Sequence, residues 1–235
     1  MLLIPLSDEN PLRFVRYQWV TIGIIAINVV VYLLQFSGLL LAAGSSLSVV
    51  PAELMSRGII YGSFREPSDG LAVPEALTLL SYMFLHADVL HLASNMMFLW
   101  VFGDNVEDAM GHLKFVVFYL VCGIAGGLAH SLALPASKLP LIGASGAVAG
   151  VIAAYLILHP RVMVWVLAFR FIPLRISAAW VLGFWVLTQF AMVILNQADQ
   201  VAWWAHIGGM VCGAILILFM RRPGVQLFDR GLTPV

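Results

Sequence analysis

The sequence predicts an all-α, polytopic membrane protein with six transmembrane helices. Hydrophobic residues make up 62% of the 235-residue chain and charged residues 10%, and the mean hydropathy is +0.98. Soluble domains average about 45–50% apolar and about 25% charged residues, so this chain has too little polar surface to cover itself in water. Long apolar runs separated by polar loops indicate that the bilayer is its solvent.

Three further features narrow the class of protein: its charge, its cysteine content and its N-terminus. The formal net charge is zero, which gives no reason to expect a nucleic-acid partner. Cys122 and Cys212 lie inside apolar runs, where small buried side chains are expected more often than a disulfide or a metal ligand. The short apolar start of the N-terminus is broken by Pro5 and followed by acids, unlike a cleaved signal peptide, so the first long apolar run is expected to remain as a signal-anchor.

Six apolar runs approach the length of about 20 residues that a spanning helix needs. They lie at about 18–41, 78–103, 113–134, 144–158, 177–196 and 202–220. The predicted organisation is a cytoplasmic segment at 1–17, a six-helix membrane domain at 18–220 and a cytoplasmic tail at 221–235. The outer loop at about 42–77 is too long for a simple connector, and loops of such length are often functional.

The segment at 159–175 is apolar but contains two prolines and three arginines. This composition favours an interfacial segment and leaves a re-entrant stretch open. Lysines and arginines in short loops set the orientation of a membrane protein. With the N-terminus inside, nine of them are cytoplasmic and three are outside, so both termini are expected in the cytoplasm. A compact six-span layout without a targeting presequence favours the inner or plasma membrane of the cell.

In this orientation the second, fourth and sixth helices all enter from the outer face. Polar residues near their N-terminal ends therefore lie at similar depth, in the stretches HADVLHLASN, GASG and WWAHIGG. The fourth run, from Ser145 to Leu158, spans only about 21 Å at about 1.5 Å per residue, against a hydrocarbon core of about 30 Å. If its inner end reaches the interface, Ser145 lies below the outer surface of the membrane.

A serine hydroxyl is a weak nucleophile and needs a base within hydrogen-bond reach. His206 is the best candidate, because it lies about one turn into the sixth helix and burial favours its neutral, proton-accepting form. Glycines four residues apart let helices approach closely. Such pairs in the fourth and sixth helices would bring Ser145 against His206: Gly146 with Gly150, and Gly209 with Gly213. No acidic residue is placed to orient His206, so a dyad is expected.

Acyl transfer also needs hydrogen-bond donors for the developing oxyanion. His91 and Asn95 share one face of the second helix, and with the backbone N–H of Ser145 they are candidate donors. Taken singly, a serine is usually a packing residue, a histidine an interfacial group and an asparagine an interhelical hydrogen-bonding group. Their coincidence at one depth favours a functional site. His86 is not spaced to form a metal pair with His91, and a role near the site entrance stays open.

At these residues the sequence resembles the rhomboid family of intramembrane serine proteases. The matching pieces are HLASN, GASGAVAG and AHIGG, in that order, together with six spans and a long first outer loop. The stretch GDNVE, at 103–107, is similar to the family's Gly-x-x-x-Glu. The resemblance covers about residues 18–220.

The resemblance implies a six-helix rhomboid-like bundle in which Ser145 is the nucleophile and His206 the general base. It also implies that His91 and Asn95 stabilise the oxyanion, that transmembrane substrates are cleaved near the outer face, and that no cofactor or metal is needed. This sequence departs from some members in lacking a Trp-Arg pair in the first loop. It also has Ala149 where some have a tyrosine beneath the histidine ring, which leaves open how His206 is held.

Other functions fit the sequence less well. A non-catalytic rhomboid-like protein that binds membrane clients is the main alternative, but such relatives typically lack the serine or the histidine. A small transporter or channel would predict inverted repeats or charged residues along a pathway, and the sequence has neither. The chain also has no HExxH motif for zinc and no pair of aspartates inside its spans.

Overall fold

The computed structural model describes residues 3–40, 46–58, 73–169, 171–195 and 202–229. The predicted outer loop and C-terminal tail, at 42–77 and 221–235, are therefore described only in part. Seven helices are numbered here along the chain. They are α1 (Trp19–Phe36), α2 (Glu75–Ser81), α3 (Val89–Met110), α4 (His112–Ala133), α5 (Ser145–Leu158), α6 (Ala178–Ile194) and α7 (Trp203–Met220). A 3-10 turn, Tyr82–Phe84, follows α2, and a helical segment spans Pro51–Gly58.

The apolar helices fall into two groups by length: those long enough to cross a membrane, and shorter ones. Among the described residues, α1, α4 and α7 are long and apolar enough to cross a bilayer. The pair formed by Glu75–Phe84 and α3 would add a fourth crossing, although the two parts are bent by 83°. The remaining helices, α5 and α6, are apolar but shorter, with 14 and 17 residues.

Helix α5 lies at the centre of the bundle, because its small side chains let other helices approach its backbone. Eleven of its 14 residues are buried. A Cβ atom added to Gly209 of α7 would overlap the carbonyl oxygen of Gly146, and one added to Gly213 would overlap that of Gly150. The four glycines singled out in the sequence therefore form the contact between α5 and α7.

The second predicted span, at 78–103, is wrong as a single helix. Helix α2 and the 3-10 turn end at Phe84, and α3 begins at Val89 in a different direction. Asp88 causes the new start, since its carboxylate caps α3 by accepting hydrogen bonds from the N–H groups of Leu90 (2.8 Å) and His91 (2.9 Å). The break places His86 and His91 on either side of a helix N-terminus.

The chain is mostly helical, but the all-α prediction missed a small antiparallel sheet with strand order β1-β2-β3. The strands are β1 (Leu3–Asp8), β2 (Met163–Ala168) and β3 (Ile172–Ser177). The segment predicted as interfacial or re-entrant is thus a β-hairpin. In β2 the alternate residues Val164, Val166 and Ala168 are buried, as expected for a strand with one face on a core.

The bundle has two ends that differ in composition. The Ser145 end contains the first turns of α3, α5 and α7. The sheet end contains the last turns of these helices, the three strands and the start of α1. At the sheet end the buried Glu107 carboxylate accepts the N–H groups of Val20 (3.0 Å) and Thr21 (2.8 Å) and the Thr21 hydroxyl (2.7 Å). The glutamate of GDNVE therefore fixes the start of α1 to α3.

Candidate active site

Ser145 and His206 meet at the Ser145 end of the bundle. Ser145 is the first residue of α5, and His206 lies in the first turn of α7. The Nε2 atom of His206 is 2.8 Å from Oγ of Ser145, and the histidine is only 7% exposed. The structure therefore brings together, within hydrogen-bond distance, the two residues predicted as nucleophile and base.

The glycine contact between α5 and α7 makes this approach possible. Gly209 lies three residues beyond His206 and packs against Gly146, which directly follows Ser145. On the other side, a Cβ added to Gly126 of α4 would lie 2.8 Å from the carbonyl oxygen of Ala205. Larger side chains at these positions would separate the helix backbones and move His206 away from the serine.

The second ring nitrogen of His206 has a partner that the sequence analysis missed. Its Nδ1 atom is 2.7 Å from Oε1 of Gln189 in α6. The ring also contacts Trp185, with centroids 5.8 Å apart, and the edge of Trp203, at 6.0 Å. Ala149 instead packs with Met210 and Ala153. The signal for Gln189 was its polar side chain inside an apolar run, which in a membrane helix is costly unless it is used.

His91 and Asn95 lie beside the loop that leads into Ser145, together with His86. The Nδ2 atom of Asn95 is 3.1 Å from Nε2 of His86, and the His86 and His91 rings meet edge to face at 5.0 Å. A Cβ added to Gly143 would lie 2.7 Å from Nε2 of His91, so the backbone just before Ser145 passes directly over that ring. His86, whose role the sequence left open, thus contacts both predicted oxyanion residues.

The loop between α4 and α5 is held from outside this cluster. Gly143 adopts φ +120°, a conformation that favours glycine, and its N–H donates to the carbonyl oxygen of Tyr82 (2.9 Å). Leu141 pairs with Val49 through two backbone hydrogen bonds. The first N–H groups of a helix have no acceptor within it. Because the loop leads straight into α5, these groups, that of Ser145 included, lie at the site.

Comparison with known proteins decides the family. The model of the Rhomboid domain matches residues 74–223, which include the four predicted catalytic and oxyanion residues and Gln189. The chain belongs to the rhomboid family. This membership and the apolar helices together identify an integral membrane protein. The strand β1 and helix α1 lie outside the matched segment.

Individual relatives carry the same family name. RHOMBOID-like protein 1 of Arabidopsis thaliana is 29% identical over 161 residues, which cover 68% of this chain and 39% of the relative. The mitochondrial Rhomboid protein 1 of Saccharomyces cerevisiae is 30% identical over 153 residues, covering 61% and 41%. Rhomboid protease GluP of Bacillus subtilis is 30% identical over 164 residues, covering 69% and 29%. The chain thus spans less than half the length of these relatives.

Proposed function

We propose that this rhomboid is an intramembrane serine endopeptidase that cleaves transmembrane substrates near the outer face of the membrane. The observation that carries the proposal is the 2.8 Å contact between Nε2 of the buried His206 and Oγ of Ser145. A serine becomes nucleophilic when a base lies within such a distance. One similar protein, GluP, is itself named a rhomboid protease.

In the proposed reaction His206 accepts the Ser145 proton as Oγ attacks the scissile carbonyl carbon. His206 then gives that proton to the leaving amine, and a water molecule hydrolyses the acyl-enzyme through the same base. The negative charge on the carbonyl oxygen is stabilised by the side chains of His91 and Asn95 and the N–H of Ser145. His86 holds the Asn95 carboxamide through their 3.1 Å contact.

The proposed layout has six crossings, made by α1, α3, α4, α5, α6 and α7 within a membrane domain at 18–220. The excess of lysine and arginine supports cytoplasmic termini. In that orientation the Ser145 end faces outward. Helix α5 has 14 residues and is therefore about 9 Å shorter than a bilayer core of about 30 Å, so Ser145 lies below the outer surface. Irregular backbone at such depth is tolerated when it is buried in protein.

The dyad is tested with Ser145→Ala and His206→Ala in proteoliposomes. Both variants are expected to lose cleavage of a transmembrane reporter by about a thousandfold or more, and to lose labelling by a fluorophosphonate probe. Ser131→Ala is the matched control, because this buried serine only bonds the carbonyl oxygen of Gly127 within α4. Equal labelling of wild type and Ser145→Ala would falsify the dyad. Client binding without any labelling would favour the non-catalytic alternative.

The oxyanion role of Asn95 has a separate test. Asn95→Ala should lower kcat by about tenfold to a thousandfold and change KM little, because the lost donor acts on the transition state. Ser94, on the same helix turn, donates its hydroxyl to the carbonyl oxygen of His91, and Ser94→Ala should leave kcat unchanged. An unchanged kcat in Asn95→Ala would assign this residue to helix packing.

The orientation is tested with single added cysteines in a Cys212→Ala background, where the remaining native cysteine, Cys122, is buried. Leu139, at the Ser145 end, is 69% exposed, and Gln226 lies near the sheet end. In intact cells an impermeant maleimide should react with Leu139→Cys, and with Gln226→Cys only after permeabilisation. The opposite pattern would show that the termini face outward.

A further inference from the structure

Gln189 is the feature of the site that neither the family motifs nor the sequence analysis assigns. We propose that Gln189 is a positioning residue, which holds His206 in the tautomer that can accept the Ser145 proton. The inference rests on the proposed function, and it adds a third helix, α6, to the machinery. It identifies the group that takes the place of an orienting acid.

The position of Gln189 in α6 is unusual. Only four of the described residues of this helix are buried, and three of them, Ala178, Val181 and Leu182, lie in its first two turns. Gln189 is the fourth and is 3% exposed, while neighbouring positions such as Leu187 and Phe190 face outward. A buried carboxamide in an apolar helix needs hydrogen-bond partners, and it finds one of them on His206.

The hydrogen bonds of the carboxamide determine which of its atoms faces the histidine. The Nε2 atom of Gln189 donates to the carbonyl oxygen of Trp185 (3.0 Å) and to Oγ1 of Thr188 (3.1 Å). The Thr188 hydroxyl already donates its proton to that carbonyl (2.6 Å). Turning the amide over would bring Oε1 against two acceptors, so the oxygen faces His206.

A carboxamide oxygen can only accept a hydrogen bond. The Nδ1 atom of His206, at 2.7 Å, must therefore carry the proton. In the neutral ring this leaves the lone pair on Nε2, which points at the Ser145 hydroxyl at 2.8 Å. The other tautomer would present an N–H group to the hydroxyl and could not act as base.

A neutral amide suits this location better than a carboxylate would. An ionised group at membrane depth is expensive to bury, and a carboxylate opposite a neutral imidazole would be an unpaired charge. Gln189 orients the ring of His206 without adding a charge, and it can keep its hydrogen bond when His206 becomes an imidazolium. Trp185 and Trp203 contact the ring from two other directions, so the ring is held by packing as well as by the bond.

The carboxamide is bonded to its own helix, through the carbonyl oxygen of Trp185 four residues earlier. It therefore moves with α6. If the second half of α6 is displaced from α7, Nδ1 of His206 loses its acceptor and the preference for the active tautomer is lost. The ability of His206 to act as a base thus depends on the position of α6, a helix that carries no reacting group.

The test compares Gln189→Leu and Gln189→Glu with wild type, using the full chain in proteoliposomes. Gln189→Leu removes the acceptor and should lower kcat and the rate of fluorophosphonate labelling by about 10- to 100-fold, with a much smaller change in KM. Gln189→Glu is nearly isosteric and keeps an oxygen opposite Nδ1 of His206, so it should lose less activity than Gln189→Leu. Its carboxylate favours the imidazolium, so the acidic limb of the kcat/KM profile should move to higher pH by about one unit or more.

A spectroscopic readout separates positioning from a merely structural role. With ¹⁵N-labelled histidine, the His206 signals are assigned by their loss in His206→Ala. They should show protonated Nδ1 in wild type and a shift toward the other tautomer in Gln189→Leu. Leu187→Ala, on the lipid-facing side of α6 and 68% exposed in wild type, should change neither kcat nor the tautomer.

The outcomes distinguish this inference from the proposed function. If wild type and Ser145→Ala are equally inactive, the protease proposal fails, and the tautomer measurement still decides the role of Gln189. If wild type is active and Ser145→Ala is not, the role of Gln189 is overturned when Gln189→Leu has the same kcat and the same His206 tautomer as wild type. Should that variant fold poorly, an unshifted pH profile in the isosteric Gln189→Glu overturns it instead.

Discussion

The two ends of the bundle bury polar side chains of different kinds. At the Ser145 end the groups that contact one another are a hydroxyl, imidazoles and carboxamides, as in the series Ser145, His206 and Gln189. At the sheet end they are mainly carboxylates. Glu107 binds the start of α1, and Asp108 accepts the N–H groups of Arg13 (3.0 Å), Phe14 (2.7 Å) and Val15 (2.6 Å).

Under the proposed function, this difference separates the catalytic groups from the stabilising ones within one fold. A carboxylate that accepts several backbone N–H groups is fixed in place and holds the segments it binds. Neutral groups linked in series can instead pass or hold a proton without leaving a permanent buried charge. Substitutions at the sheet end should therefore lower the free energy of unfolding, and those at the Ser145 end should lower kcat.

The largest expected loss of stability follows Glu107→Ala. The carboxylate accepts three hydrogen bonds from Val20 and Thr21, and Nδ1 of His112 lies 2.5 Å away. Its removal leaves buried N–H groups unpaired and should lower the free energy of unfolding by about 3–5 kcal/mol. Thermal unfolding in detergent measures this, with Glu107→Gln expected to lose less. A wild-type melting temperature would contradict the structural role.

A smaller loss of stability is expected from a change in the glycine contact between α5 and α7, on which both ends of the bundle depend. Gly209→Ala would force α7 away from α5 and should cost about 2–3 kcal/mol, with loss of cleavage because His206 moves too. Gly183 in α6 is the matched control, since a Cβ there meets nothing within 4 Å. Gly183→Ala should be neutral or stabilising by up to about 1 kcal/mol. Equal effects in the two variants would refute the close contact.

The last predicted effect, no larger than that of Gly209→Ala, depends on pH and concerns β1. The hydroxyl of Tyr155 donates to Asp8 (2.5 Å), while burial raises the pKa of Asp8 to about 6, from 3.8. The folded protein then keeps a proton that the unfolded chain releases, so stability should fall as pH rises from about 4 to about 6. The total loss is about 2–3 kcal/mol. Asp8→Asn should have a shallower slope than wild type when melting temperatures are compared between pH 4 and pH 7.

Local patterns predicted most of the helices well. Helix α4 was expected at 113–134 and lies at His112–Ala133, and α5 was expected at 144–158 and lies at Ser145–Leu158. An apolar run bounded by polar residues is enough to predict where such a helix begins and ends. The meeting of three helix N-termini was also predictable, because alternate helices enter a membrane from the same face. The catalytic roles of the residues that meet there stay predictions.

Features that depend on distant parts of the chain were missed. The two helices on either side of the bend before α3 are together apolar enough to resemble one span, although Asp88 was a visible capping residue. Strand β1 pairs with β2 across most of the chain, with Leu3 opposite Ala168, so neither segment carries a local sign of its partner. Gln189 contacts His206 only because α6 packs against α7, and spacing within a helix cannot show that.

The pairing of β1 with β2 also sets an order of events during synthesis. Ala168 follows Leu3 by 165 residues, so at about 5–20 residues per second the first strand waits about 8 to 33 seconds for its partner. During that interval α1, α3, α4 and α5 have all left the ribosome. The sheet can close only after β2 has emerged, and it then joins β1 to a part of the chain that is made just before α6 and α7.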